Sequence, residues 1–351
     1  MITSHIDDFF AKAISLGKGL VLAIVCETRG STYSKTGNYM LISEDGRFSS
    51  LLSGGCLEGD LVEQAKQVLK TETPSIVTYD LSDEDALWGL GAGCNGVMRI
   101  YLYPLIASNN YEPFTVMQKY LIKGKPSVLA IIIDSKNKNN LGLNTVIDQK
   151  KLIKSGLSDL LSPHANKQIK RSFSTKNSSL LRIDEDNMSI LCVILKPMPK
   201  ILIMGAGRDA LPVIKFCQEL GWQVTIQDHR SAYIEEINKE MNVMTCNYSV
   251  SDFSENIVLN EFVAGIIMTH HFEHDQNYLR VLAKTSIPYI GLLGPKERKN
   301  NMLLALTEQA SSLEGRLYGP AGLKLGGRGP NAIALSIVSQ IHLILTNDNL
   351  I

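Results

Sequence analysis

The chain has no excess of charge of either sign: 35 Lys and Arg residues balance 35 Asp and Glu, for a formal net charge of zero. No long-range field then draws it to nucleic acid or to an anionic membrane surface, and neither is an expected partner. No window reaches the roughly 18 apolar residues of a membrane span. The opening MITSHIDDFFAKAISLGKGL also lacks a basic start followed by an unbroken apolar run, so the cytoplasm is the expected location. The six cysteines, at 26, 56, 94, 192, 217 and 246, form no CxxC pair. A chain of this size needs no covalent staples, and free thiols are expected rather than disulfides. There is no HExxH arrangement; His270, His271 and His274 follow a strand-like run, and a helical continuation would put His270 and His274 on one face, but no metal is expected there.

What the chain does have is apolar material, 44% of 351 residues, enough for real cores and suggesting two domains. After an amphipathic opening helix, residues 20–26 (LVLAIVC) read as a buried strand and residues 39–43 as its neighbour. Residues 48–53 read as a strand leading into the turn Ser53-Gly54-Gly55-Cys56. A helix follows, with Leu61, Ala65, Val68 and Leu69 on one face. A second glycine-rich segment at 89–96, containing Gly93 and Cys94, precedes a strand at 97–103. Residues 134–179 are rich in Lys, Asn and Ser and read as surface hairpins. The prolines of Lys196-Pro197-Met198-Pro199 mark a boundary between an N-terminal domain, 1–198, and a C-terminal one, 199–351. No internal repeat shows at a fixed period.

The C-terminal part opens with an apolar run, 201–204, that ends in Gly205-Ala206-Gly207. Ala210, Val213, Ile214, Cys217 and Leu220 then recur at helical spacing, and Gly221 reads as a C-terminal cap. Trp222, Val224 and Ile226 alternate as a second strand ending at Asp228. In a dinucleotide fingerprint an acid about 20 residues beyond the first glycine meets a ribose hydroxyl, while the glycines let the backbone approach a diphosphate at the helix N-terminus. Gly205, Gly207 and Asp228 are therefore candidates for NAD(P) or another nucleotide; the alternative is a structural tight turn. Further strands at 262–268 and 288–292 alternate with helices, which predicts a parallel sheet. The fold class is α/β, a smaller N-terminal α/β domain followed by a Rossmann-like domain. His270, Asp275 and Arg298 fall where ligands bind such sheets, at the carboxyl ends of strands.

Cys56 lies between a glycine turn and a helix N-terminus, a setting that favours an exposed thiolate, and Cys94 lies in a similar open loop. The alternative for each is a small residue tolerated in a crowded turn. Glu58, in the first turn of the following helix, is favoured there by the helix dipole alone.

Taken together, ETRGSTYS at 27–34, SGGCLEGD at 53–60, GLGAGCNG at 89–96, GAGRDALPV, GWQVTIQDHR, MTHHFEHDQNYLRVL, YIGLLGPKER and LYGPAGLKLGGRGPNAIALSIVSQI resemble the XdhC/CoxI family. Its members are accessory factors for xanthine dehydrogenase, carbon monoxide dehydrogenase and related molybdenum hydroxylases. The resemblance implies a maturation chaperone that binds molybdenum cofactor of the molybdopterin type, protects it and delivers it to an apo-hydroxylase. Cofactor sulfuration is associated with that delivery, which makes a cysteine desulfurase a second expected partner; homo-oligomers are also expected. The resemblance makes Cys56 and Cys94, with Gly54, Gly55, Glu58 and Gly93, the candidates for cofactor contact. Many members of that family have an acid where this chain has Lys324, and Arg328 also departs from their common pattern. Two competing readings stand: an NAD(P)-dependent oxidoreductase built on Gly205, Gly207 and Asp228, and a scaffold for protein contact.

Overall fold

The apolar run starting at Leu20 is continuous because both of its faces are covered. In the computed structural model, helix α1 (Ser4–Ser15) precedes β1 (Leu20–Gly30), β2 (Tyr39–Ser43), α2 (Glu58–Thr71), β3 (Ser75–Asp80) and β4 (Gly96–Leu105). The strands form an antiparallel sheet in the order β2-β1-β4-β3. Leu20, Leu22, Ile24 and Cys26 enter one core; Val21, Ala23 and Val25 enter another with Leu61, Ala65 and Val68 of α2. The structure describes residues 4–81, 96–122, 124, 126–148, 157, 161–175, 177–184 and 187–346. It divides into two compact units, Met1–Met198 and Pro199–Ile351.

The first unit contains the same design twice. Helix α3 (Phe114–Ile122) is followed by β5 (Ser127–Ser135), β6 (Asn144–Asp148), α4 (Pro163–Thr175), β7 (Ser179–Ile183) and β8 (Met188–Leu195). This second sheet has the order β6-β5-β8-β7, which repeats the first strand for strand. Val21-Leu22-Ala23-Ile24 recurs as Val128-Leu129-Ala130-Ile131. A β-bulge follows at the corresponding place in each copy, between Val25 and Glu27 and between Ile132 and Asp134. Leu61, Ala65 and Val68, buried on α2, have Ala165, Ile169 and Ser172 as their counterparts on α4. The two sheets share one core, filled from α1 and α3 by Ile6, Phe10, Phe114 and Met117. The duplication has no fixed period, because the loops joining corresponding elements differ in length, so it does not show as a fixed-period repeat in the sequence. The polar stretch 134–179, expected to form surface hairpins, contains helix α4. Residues 48–53 form no strand beyond an isolated bridge between Ile42 and Phe48. The N–H groups of Leu52 and Ser53 go instead to the carboxylate of Glu58, which takes the donors a ladder would need.

The second unit alternates β9 (Lys200–Met204), α5 (Ala210–Glu219), β10 (Gln223–Gln227), α6 (Ser231–Glu240), β11 (Met244–Cys246), α7 (Phe253–Asn256), β12 (Ala264–Ile267) and α8 (Phe272–Ala283). It continues with β13 (Tyr289–Leu292), α9 (Lys296–Leu306), β14 (Leu317–Tyr318) and α10 (Pro330–Thr346). All six strands are parallel, in the order β11-β10-β9-β12-β13-β14. Counted from β9 this is the Rossmann order 3-2-1-4-5-6, with its switch point between β9 and β12. Ile201 and Ile203 face α5, α6 and α10, while Leu202 and Met204 face α8 and α9. Helix α5 ends in a Schellman motif at Gly221 (φ 72°), where Gly221 N donates to Gln218 O and Trp222 N to Cys217 O. Among the described residues, no helix is long and apolar enough to cross a membrane.

Candidate functional site

In the first unit, the turn before α2 is built around a buried carboxylate. Gly54 (φ 76°) and Gly55 (φ 113°) take left-handed conformations that favour glycine. Glu58 Oε1 accepts from Leu52 N at 2.8 Å and Ser53 N at 2.9 Å; Oε2 accepts from Ser53 Oγ at 2.5 Å and Gly55 N at 3.0 Å. Ser53 Oγ in turn accepts from Leu57 N. Burial pushes the Glu58 carboxyl up, but these hydrogen bonds, led by the Ser53 hydroxyl, outweigh it and hold the group below its ordinary value. All four lone-pair positions are occupied, so Glu58 fixes the turn and leaves no oxygen for a ligand. Cys56 is exposed at its tip and its thiol is free. A Cβ placed on Gly55 or Gly59 would meet nothing within 4 Å, so the space around the turn is open.

The segment after β1 touches both glycine-rich regions. The Tyr33 ring lies against Gly54, and a Cβ on Gly96 would meet Arg29 O at 2.4 Å and Ser31 O at 2.7 Å. Gly96 also accepts from Leu81 N at 2.9 Å, which ties together the two ends of the segment that carries the other cysteine. Gly93 and Cys94 lie outside the described residues. Ser53 and Tyr33 were not foreseen from the sequence. Ser53 has a local signal, a hydroxyl five residues before a helix-initial acid; Tyr33 has none, because its contact is set by the fold.

In the second unit, Gly205 (φ 119°) presses against the end of β12. A Cβ there would meet Met268 O at 2.5 Å and Thr269 N at 2.9 Å. Gly207 is less confined, since only the end of the Asp209 side chain stands in the way. Asp228, at the end of β10, is buried. Its Oδ2 accepts from Ala206 N at 2.8 Å and Arg230 Nη2 at 2.7 Å, and its Oδ1 from Arg230 N and Nε at 2.9 Å each. Burial raises the Asp228 carboxyl, and the Arg230 guanidinium and the turn N–H groups more than reverse that. This carboxylate also holds a glycine turn, with no lone pair left for a ribose hydroxyl, and Arg230 is the residue that sequence reasoning missed.

His270 (φ 62°) precedes α8 rather than lying on it, so it shares no helix face with His274. Its Nε2 meets Asp209 Oδ2 at 2.7 Å, linking the β9 and β12 loops across the switch point. His274 packs against His271 and His229, with ring centroids 4.3 and 4.4 Å apart. Burial and then the neighbouring imidazoles push its pKa down. Asp275 is buried, accepting from Thr269 and from Arg298 Nη2 at 2.7 Å. Among the described residues, no group of three or more His, Cys, Asp or Glu is arranged to hold a metal ion.

These features define a class: a Rossmann-order domain joined to a duplicated α/β unit that displays a cysteine on a carboxylate-clamped glycine turn. Family models match the chain at both ends, the XdhC and CoxI family over residues 13–80 and the XdhC Rossmann domain over residues 201–341. It is 30% identical over 332 residues to a protein of Bacillus subtilis (strain 168) described as a probable xanthine dehydrogenase subunit, covering 92% of each chain. The fold is similar to that of a crystal structure described as a xanthine dehydrogenase from Bacillus halodurans, with TM-score 0.79 and 29% identity over 97% of this chain and 96% of that one. Over 119 residues, 34% of this chain and 36% of the relative, it is 28% identical to the molybdenum cofactor insertion chaperone PaoD of Escherichia coli (strain K12). The chain belongs to the XdhC and CoxI family.

Proposed function

We propose that this protein is a maturation chaperone that binds molybdenum cofactor and delivers it to a molybdenum hydroxylase of the xanthine dehydrogenase type. The observation that carries this reading is the Cys56 turn: an exposed thiol held on a backbone that Glu58 has already fixed. The turn lies within the residues matched by the family model, and a partial relative is named a molybdenum cofactor insertion chaperone. The residues suit such a cargo chemically. A soft sulfur donor is a ligand for a transition metal, and the open space at Gly55 and Gly59 admits a ligand to the first turn of α2. The cofactor would supply the redox metal to the recipient enzyme; this chain would bind and shield it, with Cys56 and Cys94 as contacts.

Full-length protein co-expressed with the cofactor pathway is expected to co-purify with a pterin detectable by mass spectrometry. Cys56→Ala is expected to lower its occupancy by about tenfold, the loss of one charge-assisted or ligating contact. Equal occupancy in a Cys56→Ala, Cys94→Ala double variant would overturn the assignment of these thiols. A wild-type protein that carries no pterin and fails to activate an apo-hydroxylase would overturn the function itself.

A further inference from the structure

Glu27, just beyond the bulge in β1, receives three guanidiniums from three strands. Arg99 Nη1 on β4 lies 2.9 Å from its Oε2, Arg182 Nη2 on β7 lies 2.9 Å from its Oε1, and Arg29 Nη2 lies 3.6 Å from Oε1. Hydrogen bonds from Arg99 and then Arg182 hold the Glu27 carboxyl below its ordinary value, so these four side chains together are net positive. Arg99 and Arg182 each spend one N–H on Glu27, out of the five a guanidinium offers. Glu27 is mostly covered, with 18% of its side chain exposed, whereas Arg182 and Arg29 are 58% and 76% exposed. The carboxylate thus anchors the guanidiniums from beneath and leaves their outer edges to solvent.

The second copy of the design serves as an internal control. Asp134 follows the bulge of β5 as Glu27 follows that of β1. Ser189 stands where Arg99 stands, and Thr78 where Arg182 stands. The same sheet, bulge and ladder form there without counterparts of Arg99 and Arg182, so the architecture does not require those two arginines, while a cation, Lys136, stands where Arg29 stands. Two members of the cluster, Glu27 and Arg29, lie on β1, and the segment that follows this strand meets Gly96 at Ser31 and Gly54 at Tyr33.

We propose that Arg29, Arg99 and Arg182 form a receptor for a phosphomonoester, the dianionic end of a small-molecule ligand whose other end reaches the Cys56 turn. Planar guanidinium forks suit phosphate oxygens, and the excess of positive charge matches a dianion better than a single carboxylate. On the carrier reading given above, on which only the identity of the ligand rests, the group bound is the phosphate of the pterin cofactor.

The test is titration of the full-length protein with inorganic phosphate at low ionic strength, followed by phosphorus NMR or calorimetry, with pterin occupancy measured separately. Arg99→Gln with Arg182→Gln is expected to weaken phosphate binding at least about tenfold, as loss of charge-assisted hydrogen bonds should. Arg182→Gln alone, which leaves the Arg99–Glu27 pair intact, is expected to weaken it severalfold. A wild-type protein that does not bind phosphate, or an affinity unchanged across the arginine variants, overturns the inference. So does a double variant that loses only hydroxylase activation while binding phosphate normally, which would assign the arginines to an acidic partner surface. The two readings fail separately: phosphate binding that depends on the arginines, without any pterin, sinks the carrier, whereas retained pterin with flat phosphate affinity sinks the receptor.

Discussion

Replacing Gly205 with Ala is expected to destabilise the C-terminal unit by about 3–5 kcal/mol, the sum of a left-handed backbone penalty and overpacking against atoms that cannot yield. The added methyl would sit 2.5 Å from Met268 O, 2.7 Å from its carbonyl carbon and 2.9 Å from Thr269 N. All three are backbone atoms. They are held in place because Met268 N bonds to Met204 O at 2.8 Å and Thr269 N to the buried Asp275. For a unit of this size the loss corresponds to a melting temperature lower by roughly 10 °C, readable by calorimetry. Gly207→Ala is the matched control. Its obstacle is a side-chain oxygen of Asp209 rather than backbone, so only the Asp209–His270 contact has to shift, and a smaller loss of about 1–2 kcal/mol is expected. Equal melting temperatures for the two variants would mean that the close approach to β12 does not restrict the side chain at position 205.

Glu58→Ala is expected to cost about 3 kcal/mol, because it strands the Leu52, Ser53 and Gly55 N–H groups and the Ser53 hydroxyl at a buried position. The pH dependence has a definite sign. The folded-state pKa of Glu58 lies below its ordinary value of 4.5. Its contribution is therefore fully present above that value and drains away as the pH falls through the folded pKa. Denaturant titrations should show the gap between wild type and Glu58→Ala as constant near neutrality and narrower below about pH 4. A gap that stayed constant into acid would mean that the carboxylate's charge is not what holds the turn. Pterin occupancy is expected to fall in this variant as well, since Cys56 would lose its fixed position.

Much of this structure was legible in the chain. The glycine turn at Gly205 and the helix stop at Gly221 are local signals, and the parallel sheet followed from the alternation of apolar runs with helices. The rest was hidden for physical reasons. Helix α4 buries Ala165, Ile169 and Ser172, a face too small and polar to give an apolar period, so the stretch 134–179 read as surface hairpins with no helix. Strand β14 is only Leu317–Tyr318 and exists through its pairing with Ile290 and Gly291. The duplication survives in sequence mainly as the shared Val-Leu-Ala-Ile. The candidate site was half legible. Cys56 and its glycines stood out, but the roles of Glu58 and Asp228 depend on where their carboxylates turn, and both turn towards backbone N–H groups that no side-chain pattern reveals.

The buried carboxylates have a consequence for binding cost. Fixing a residue's backbone costs about 1–2 kcal/mol in conformational entropy. Around Cys56, Glu58 makes the protein meet that cost when it folds. A ligand binding at the turn, as the carrier reading proposes, would find its shape already set and would lose little contact energy to ordering the loop.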